Sequence, residues 1–314
     1  MGQIDPTALA LCTVFPFLSI VAVIARFRAR AIKRVKLGAD DWVVLPALIF
    51  SLGNVANILY GAIKADLGQH MPLDGEGFAV NGPKLTALNK MTYVTPILGS
   101  VGLGCSRWSV LLLYNRIFGA GRFRYAVYVL SALNIGWIVS FVFVFIFRCF
   151  PISEVWTSQQ GQRKHCIGIE SNYGYAVSSV ILDLMVLSMP WPMIWRMHMD
   201  LKTKLATTGI FMLGAIVTAA GIGKIYAFYT VGALIAKNHD LTYDEAPLFY
   251  WTVPELCLAV VCACLPILRP IVHGLTPSSV FSSIRGLVSF GSLKSLRTMN
   301  SNKSLNSENE KSQV

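Results

Sequence analysis

The chain has 314 residues, 54% of them hydrophobic and only 14% charged, with a mean hydropathy of +0.56 and a formal net charge of +11. A soluble domain carries about 25% charged residues, so the composition excludes the soluble class, and in a membrane protein surplus bases gather in cytoplasmic loops, not on a nucleic-acid surface. Seven scattered cysteines exclude a disulfide framework, and no CxxC, HExxH or P-loop pattern supplies a metal, redox or nucleotide motif.

Seven apolar segments are long enough to cross a hydrocarbon core of roughly 30 Å, which takes about 20 helical residues. They lie at 7–26, 42–63, 92–115, 125–147, 173–195, 207–231 and 249–271. The expected fold is all-α: a polytopic seven-transmembrane-helix bundle over residues 1–275. The first segment follows MGQID, which has an acid and no base, and precedes a block of arginines. That pattern fits a retained anchor with its N-terminus outside, not a cleaved signal.

The run RFRARAIKRVK at 26–36 meets the anionic inner leaflet in this reading. Next, LGADDW at 37–42 places Asp40 and Asp41 at the start of helix 2. Carboxylates there cap free N–H groups and favour the positive helix end. They are also within reach of the preceding bases, although capping and anchoring alone account for the stretch.

Helix 3 carries Gly99, Gly102 and Gly104, which serve close packing or leave room for a ligand, and then Arg107. The loop after helix 4 holds Cys149 and Cys166. Both fall on the expected outer side, where a disulfide forms; two free thiols are the alternative. Helix 5 carries Asp183, and helix 6 carries Lys224 and a small-residue face of Ala215, Ala219 and Gly223. Helix 7 carries Glu255. Pro96, Pro190, Pro192, Pro254, Pro266 and Pro270 interrupt or end helices. Beyond 275, apolar residues recur at helical spacing, predicting an interfacial amphipathic helix over 276–298 on the inner leaflet. Residues 299–314 read as a disordered, serine-rich cytosolic tail, either a phosphorylation region or simply solvated. The sequon at Asn302 falls on that side, where it is not used.

Orientation follows from the bases. Loops after helices 1, 3 and 5 hold Arg26, Arg28, Arg30, Lys33, Arg34, Lys36, Arg116, Arg122, Arg124, Arg196, Lys202 and Lys204. The other loops hold fewer bases, mixed with acids. The N-terminus is therefore expected outside and the C-terminus inside.

Arg107, Asp183, Lys224 and Glu255 are the ionisable groups expected within the membrane. Charges there are costly and pair with one another across the bundle. Arg107 and Asp183 differ in predicted depth by only about 5 Å at 1.5 Å per residue, and Lys224 and Glu255 both lie about seven residues from the outer helix ends. The expected pairs are Arg107–Asp183 and Lys224–Glu255. Two readings stay open: register locks, or the lining of a polar pocket or proton path.

Several stretches in this order resemble the fungal seven-helix membrane family known by its "rhodopsin domain". They are LGADDW at 37–42, SRWSVLLLYNRIF at 106–118 and FRCFPISEVW at 147–156 with the later Cys166. ILDLMVLSMPWPMIWRMHM at 181–199 and WTVPELCLAVVCACLPILRP at 251–270 complete the set. The family includes receptor-like surface-sensing proteins and members encoded beside toxin and secondary-metabolite genes. It usually has lysine at the position of Arg107 and arginine at that of Lys224; the signs are kept here. The cysteine-rich extracellular domain of some receptor-like members is not in this sequence.

The family name suggests retinal, which in opsins is held by a helix 7 lysine. Helix 7 has none here, so no cofactor is expected. Tyr114-Asn115-Arg116 is not the Asp-Arg-Tyr of animal receptors, which leaves G-protein coupling unsupported. The resemblance implies a receptor-like protein, or one accessory to secondary-metabolite biosynthesis, with an apolar small-molecule ligand. The alternative is a membrane enzyme with Asp183 and Glu255 as acids, although no nucleophile–base pattern or metal site accompanies them. A transporter ranks lower, since no internal repeat is visible.

Overall fold

The computed structural model describes residues 6–69, 82–118, 121–157, 166–168, 170–191, 201–238 and 246–272. These form α1 (Pro6–Ile32), α2 (Ala39–Lys64), α3 (Pro83–Phe118), α4 (Arg122–Ile146), the short α5 (Glu154–Thr157), α6 (Glu170–Ser188), α7 (Leu201–Asn238) and α8 (Ala246–Val272). The described residues are all-α; their one β-type contact is an isolated bridge between Cys149 and Cys166. By contacts the chain divides at Ile267, and of the second unit only the last turn of α8 is described. The interfacial helix expected over 276–298 and the tail over 299–314 lie outside the described residues.

Among the described residues, six helices are long and apolar enough to cross a membrane: α1, α2, α3, α4, α7 and α8. Such helices suit lipid because every backbone bond closes within the segment. Their lipid-compatible faces are plain: α1 turns Val14, Phe17, Val21 and Ile24 outward, and α4 turns Tyr125, Val129, Leu133 and Phe143 outward. The expected fifth crossing, 173–195, is the weak one. Its helix begins three residues earlier on polar Glu170, Ser171 and Asn172 and ends at Ser188, so by length and composition it is not counted with the six.

Helix bounds also differ elsewhere. α3 is 36 residues long and begins at Pro83, and α1 continues to Ile32 instead of ending at Arg26. Pro96, Pro254 and Pro266 do not interrupt their helices, and Pro16 and Pro46 are likewise carried inside α1 and α2.

α3 runs through the interior and packs against α2, α4 and α6. Leu88 and Met91 meet Ile58 of α2 and Val253 of α8; Leu103 meets Trp137, Tyr175 and Leu256; Leu111 and Tyr114 meet Val127 and Val186. The α3 glycines are occupied by neighbours. A Cβ at Gly99 would meet the Tyr175 hydroxyl, at Gly102 Leu256, and at Gly104 the Ile138 side chain. Their reading as room for a ligand is therefore corrected: α6, α8 and α4 fill the space. The expected small face of α7 holds at Gly223, where a Cβ would meet the Trp251 ring, and is corrected at its two alanines. Ala215 and Ala219 point outward, while Gly214, Val217, Thr218, Gly221 and Lys224 face the bundle.

Candidate functional site

At one end of the bundle, α1, α2, α3 and α8 meet around a buried ionic cluster. Because α1 continues past Arg26, Arg26 and Arg30 stand one helical turn apart on the same face and point inward. Arg26 Nη2 donates to Asp40 Oδ2 at 2.8 Å and its Nε to Asp41 Oδ1 at 2.9 Å. Arg30 repeats the pattern, with Nη2 to Asp40 Oδ2 at 2.6 Å and Nε to Asp41 Oδ1 at 3.2 Å. Arg116 of α3 reaches Asp40 Oδ1 at 3.1 Å. Two backbone contacts extend the cluster: Arg26 Nη1 donates to the Ala263 carbonyl at 2.7 Å, and Ser109 Oγ to the Asp40 carbonyl at 2.8 Å.

Asp41 also caps α2 as expected from LGADDW, its Oδ2 accepting from the Gly38 N–H at 3.0 Å. Capping is nevertheless the smaller part of its role. Arg26 and Asp41 have no exposed surface, and Asp40 is 2% exposed. A Cβ at Gly38 would run into the Asp40 carboxylate and the Arg116 guanidinium, so the second position of the motif suits glycine. The basic run thus splits. Arg26 and Arg30 are interior, while Arg28, Lys33, Arg34 and Lys36 are exposed.

The second site lies deeper. Arg107 of α3 forks onto Asp183 of α6, Nε to Oδ1 at 2.7 Å and Nη2 to Oδ2 at 2.9 Å. The bidentate fork is the strong form of this interaction. Arg107 Nη2 also donates to the Ser179 carbonyl at 3.3 Å and to its hydroxyl. Lys224 Nζ of α7 donates to Glu255 Oε2 of α8 at 2.8 Å. All four expected charges are thus brought into the two expected couples.

Trp137 and Tyr175, which sequence reasoning did not single out, join the couples. The Arg107 guanidinium carbon lies 4.8 Å from the Trp137 ring centre, and Lys224 Nζ lies 5.1 Å from that of Tyr175. The two rings stack on each other at 5.2 Å, with Phe141 and Phe145 packed around them. Each cation therefore has a carboxylate on one side and a π face on the other. One continuous array runs Asp183, Arg107, Trp137, Tyr175, Lys224, Glu255 across α3, α4, α6, α7 and α8. An aromatic on α4 carries no charge signal, which is why pairing charges by depth could not find it.

Beside the array, between α3, α6, α7 and α8, lies a cavity of about 50 Å³ walled by Arg107, Asp183, Tyr114, Ser106, Cys262 and apolar neighbours. At the opposite end from the ionic cluster, Cys149 and Cys166 form a disulfide joining the end of α4 to the start of α6. α5 lies within the span they close; its Trp156 makes an edge contact with Tyr93 of α3, whose hydroxyl donates to the Ile146 carbonyl at 3.1 Å.

Retinal does not fit these residues. Lys224 is held by Glu255 and the Tyr175 ring. On the same helix, Gly221 packs against Val180 and Gly223 against the Trp251 ring. α8 has no lysine. Among the described residues no group of acids, cysteines and histidines has the geometry to hold a metal ion.

These features define a polytopic helical membrane protein whose interior charges are tied off in ionic arrays. Its family is equally clear: the chain belongs to the fungal rhodopsin domain family, whose model matches residues 25–274. Among its relatives is the polyenoic acids biosynthesis gene cluster protein Ba17b of Metarhizium anisopliae. It is 26% identical over 83% of this chain and 72% of that protein. The phomoidride biosynthesis cluster protein H of Fungal sp. (strain ATCC 74256) is 27% identical over 86% of this chain and 91% of its own. The receptor GIN3 of Arthrobotrys oligospora is 24% identical over 96% of this chain and 72% of its own.

Proposed function

We propose that the protein is a receptor-like membrane component of secondary-metabolite biosynthesis, acting without catalysis of its own. In this reading it crosses the membrane seven times, N-terminus outside and C-terminus inside. The exposed Arg28, Lys33, Arg34 and Lys36 face the anionic inner leaflet, and the disulfide lies on the oxidising side. The observation that carries it is the tying-off of the four interior charges. Asp183 and Glu255 each accept from a cation at 2.7–2.8 Å. Such carboxylates couple helices instead of delivering protons, and an array spanning five helices is the kind of element whose equilibrium a ligand can bias. Relatives named for biosynthesis clusters and for a receptor support the assignment.

A membrane-enzyme reading keeps one foothold: the Asp183 side chain is 14% exposed and lies on the cavity wall. Metabolite profiles of a deletion strain and its parent, with cells and medium analysed separately, decide between them. The receptor-like role predicts that pathway output changes as a whole. Build-up of one discrete precursor, restored by wild type but not by Asp183→Asn in equal amount, would establish the enzyme instead. A finished product retained in the cells would establish a transporter.

A further inference from the structure

The turn joining α1 to α2 carries more positive charge than its fold requires. α1 ends in a closed turn: the Val35 N–H donates to the Arg30 carbonyl at 3.2 Å and the Arg34 N–H to the Ala31 carbonyl at 3.1 Å. This closure sets Arg34 in the left-handed region, at a φ of 51°. Helix ends of this geometry ordinarily place glycine there, because any side chain raises the backbone energy in that conformation. Residues held in such a conformation despite the cost concentrate at binding and active sites.

In the ionic cluster beneath the turn, Arg26, Arg30 and Arg116 share only Asp40 and Asp41, so one positive charge is left over. Arg116 is the member that reaches the surface, and its Nη2 donates to the Lys36 carbonyl at 2.7 Å, fastening the turn to α3. Lys33, Arg34 and Lys36 are exposed, and none of their side chains has an ion-pair partner among the described residues. Four cations thus stand uncompensated at one turn. A singly charged headgroup would leave three of them unmatched. An inositol ring bearing two phosphomonoesters beside its phosphodiester carries about four negative charges, at roughly −1.5 to −2 per monoester. Ile32, Val35 and Leu37 alternate with the bases and are 74%, 41% and 48% exposed. Apolar side chains interleaved with cations suit the boundary between headgroups and acyl chains, so a lipid fits the turn better than a soluble polyphosphate.

We propose that the α1–α2 turn binds the headgroup of a multiply phosphorylated inositol lipid, with Lys33, Arg34 and Lys36 as its phosphate contacts and Arg116 holding the turn in place. The inference rests on the orientation given under the proposed function, which sets this turn against the inner leaflet, and narrows a general anionic contact to one lipid class.

The test uses the full chain purified in detergent, with fluorescent short-chain phosphatidylinositol 4,5-bisphosphate as probe, read by anisotropy. Short-chain phosphatidylserine and water-soluble inositol trisphosphate are the competitors. Binding should saturate, and each competitor should need at least tenfold higher concentration than the unlabelled lipid. Lys33→Gln/Lys36→Gln should weaken binding at least tenfold at an unchanged unfolding temperature, since each base near such a surface contributes roughly fivefold. Arg34→Gly should keep or raise the unfolding temperature and still lose about fivefold in affinity. Arg28→Gln, on the body of α1, should stay within about twofold of wild type for this probe.

Equal competition by phosphatidylserine would reduce the turn to a general charge effect, and equal competition by inositol trisphosphate would make the ligand a soluble one. Either result overturns the proposal, as do the absence of saturable binding, undiminished binding in the variants, or an Arg34→Gly protein that is less stable than wild type. Absent headgroup binding alongside altered pathway output in the deletion strain removes the lipid site and leaves the receptor-like role. Headgroup binding with unchanged output does the reverse.

Discussion

The two charged regions solve one problem in different ways. At the end of the bundle, three arginines converge on two aspartates, and every guanidinium reaches more than one acceptor. In the middle, each cation meets one carboxylate and one aromatic face. The end cluster is redundant: loss of one contact leaves others, and the backbone of α8 is tied in as well. The central array is a single file in which the two ion pairs are joined in series through the Trp137–Tyr175 stack. Redundancy suits an anchor, whereas a single file suits an element that changes state, because disturbing one member reaches the rest.

The largest effect should come from breaking the anchor where it is driest. Asp41→Ala strips an acceptor from both Arg26 and Arg30 and leaves buried charge uncompensated, a loss of about 3–5 kcal/mol. Folded protein recovered from membranes should fall sharply. Asp40→Ala should be comparably severe, since Arg116 also loses one of its acceptors.

Reduction of the Cys149–Cys166 disulfide should come next. The cross-link closes a span of 17 residues, and loops of that length contribute about 3 kcal/mol by restricting the unfolded chain. A lower unfolding temperature in reducing buffer, absent in Cys149→Ser/Cys166→Ser, checks this.

Asp183→Ala should cost about 3 kcal/mol, the lower end of the range for a broken buried pair, because this carboxylate keeps some exposure. Arg107→Met/Asp183→Leu should recover most of the loss in abundance, since removing both charges leaves none unpaired. If the double variant is abundant but inactive, the pair belongs to function and not only to register. Replacement of Trp137 by Leu should be milder, about 1–2 kcal/mol from the lost cation–π and ring contacts. It should also make the Arg107/Asp183 and Lys224/Glu255 couples more nearly additive in a double-mutant cycle. Arg28→Gln should leave the unfolding temperature unchanged and weaken binding to anionic vesicles. Equal binding of that variant would show that the exposed bases do not face lipid headgroups.

Much of the fold was legible in the residues. Apolar runs long enough to span a bilayer locate the helices because lipid permits nothing else, and the partners of Arg107 and Lys224 followed from depth alone. LGADDW marked a helix start, and Asp41 does cap it. Even the small α3 glycines were read as sites of close approach, without indication of which side chain approaches.

Tertiary structure decided what periodicity and depth leave open. Whether Arg26 is the last residue of a crossing or an interior one depends on α1 continuing another turn, and that turn is stabilised by aspartates from a different helix. Ala215 and Ala219 were a packing face by spacing, yet α7 is rotated to bury Lys224, because a charge beside Glu255 outweighs the modest gain from small-residue contact. The Trp137–Tyr175 stack joins two ion pairs that share no sequence neighbourhood. A sequence sets which groups cannot face lipid; only the packed helices set which groups they face instead, because that choice is made by partners distant in the chain.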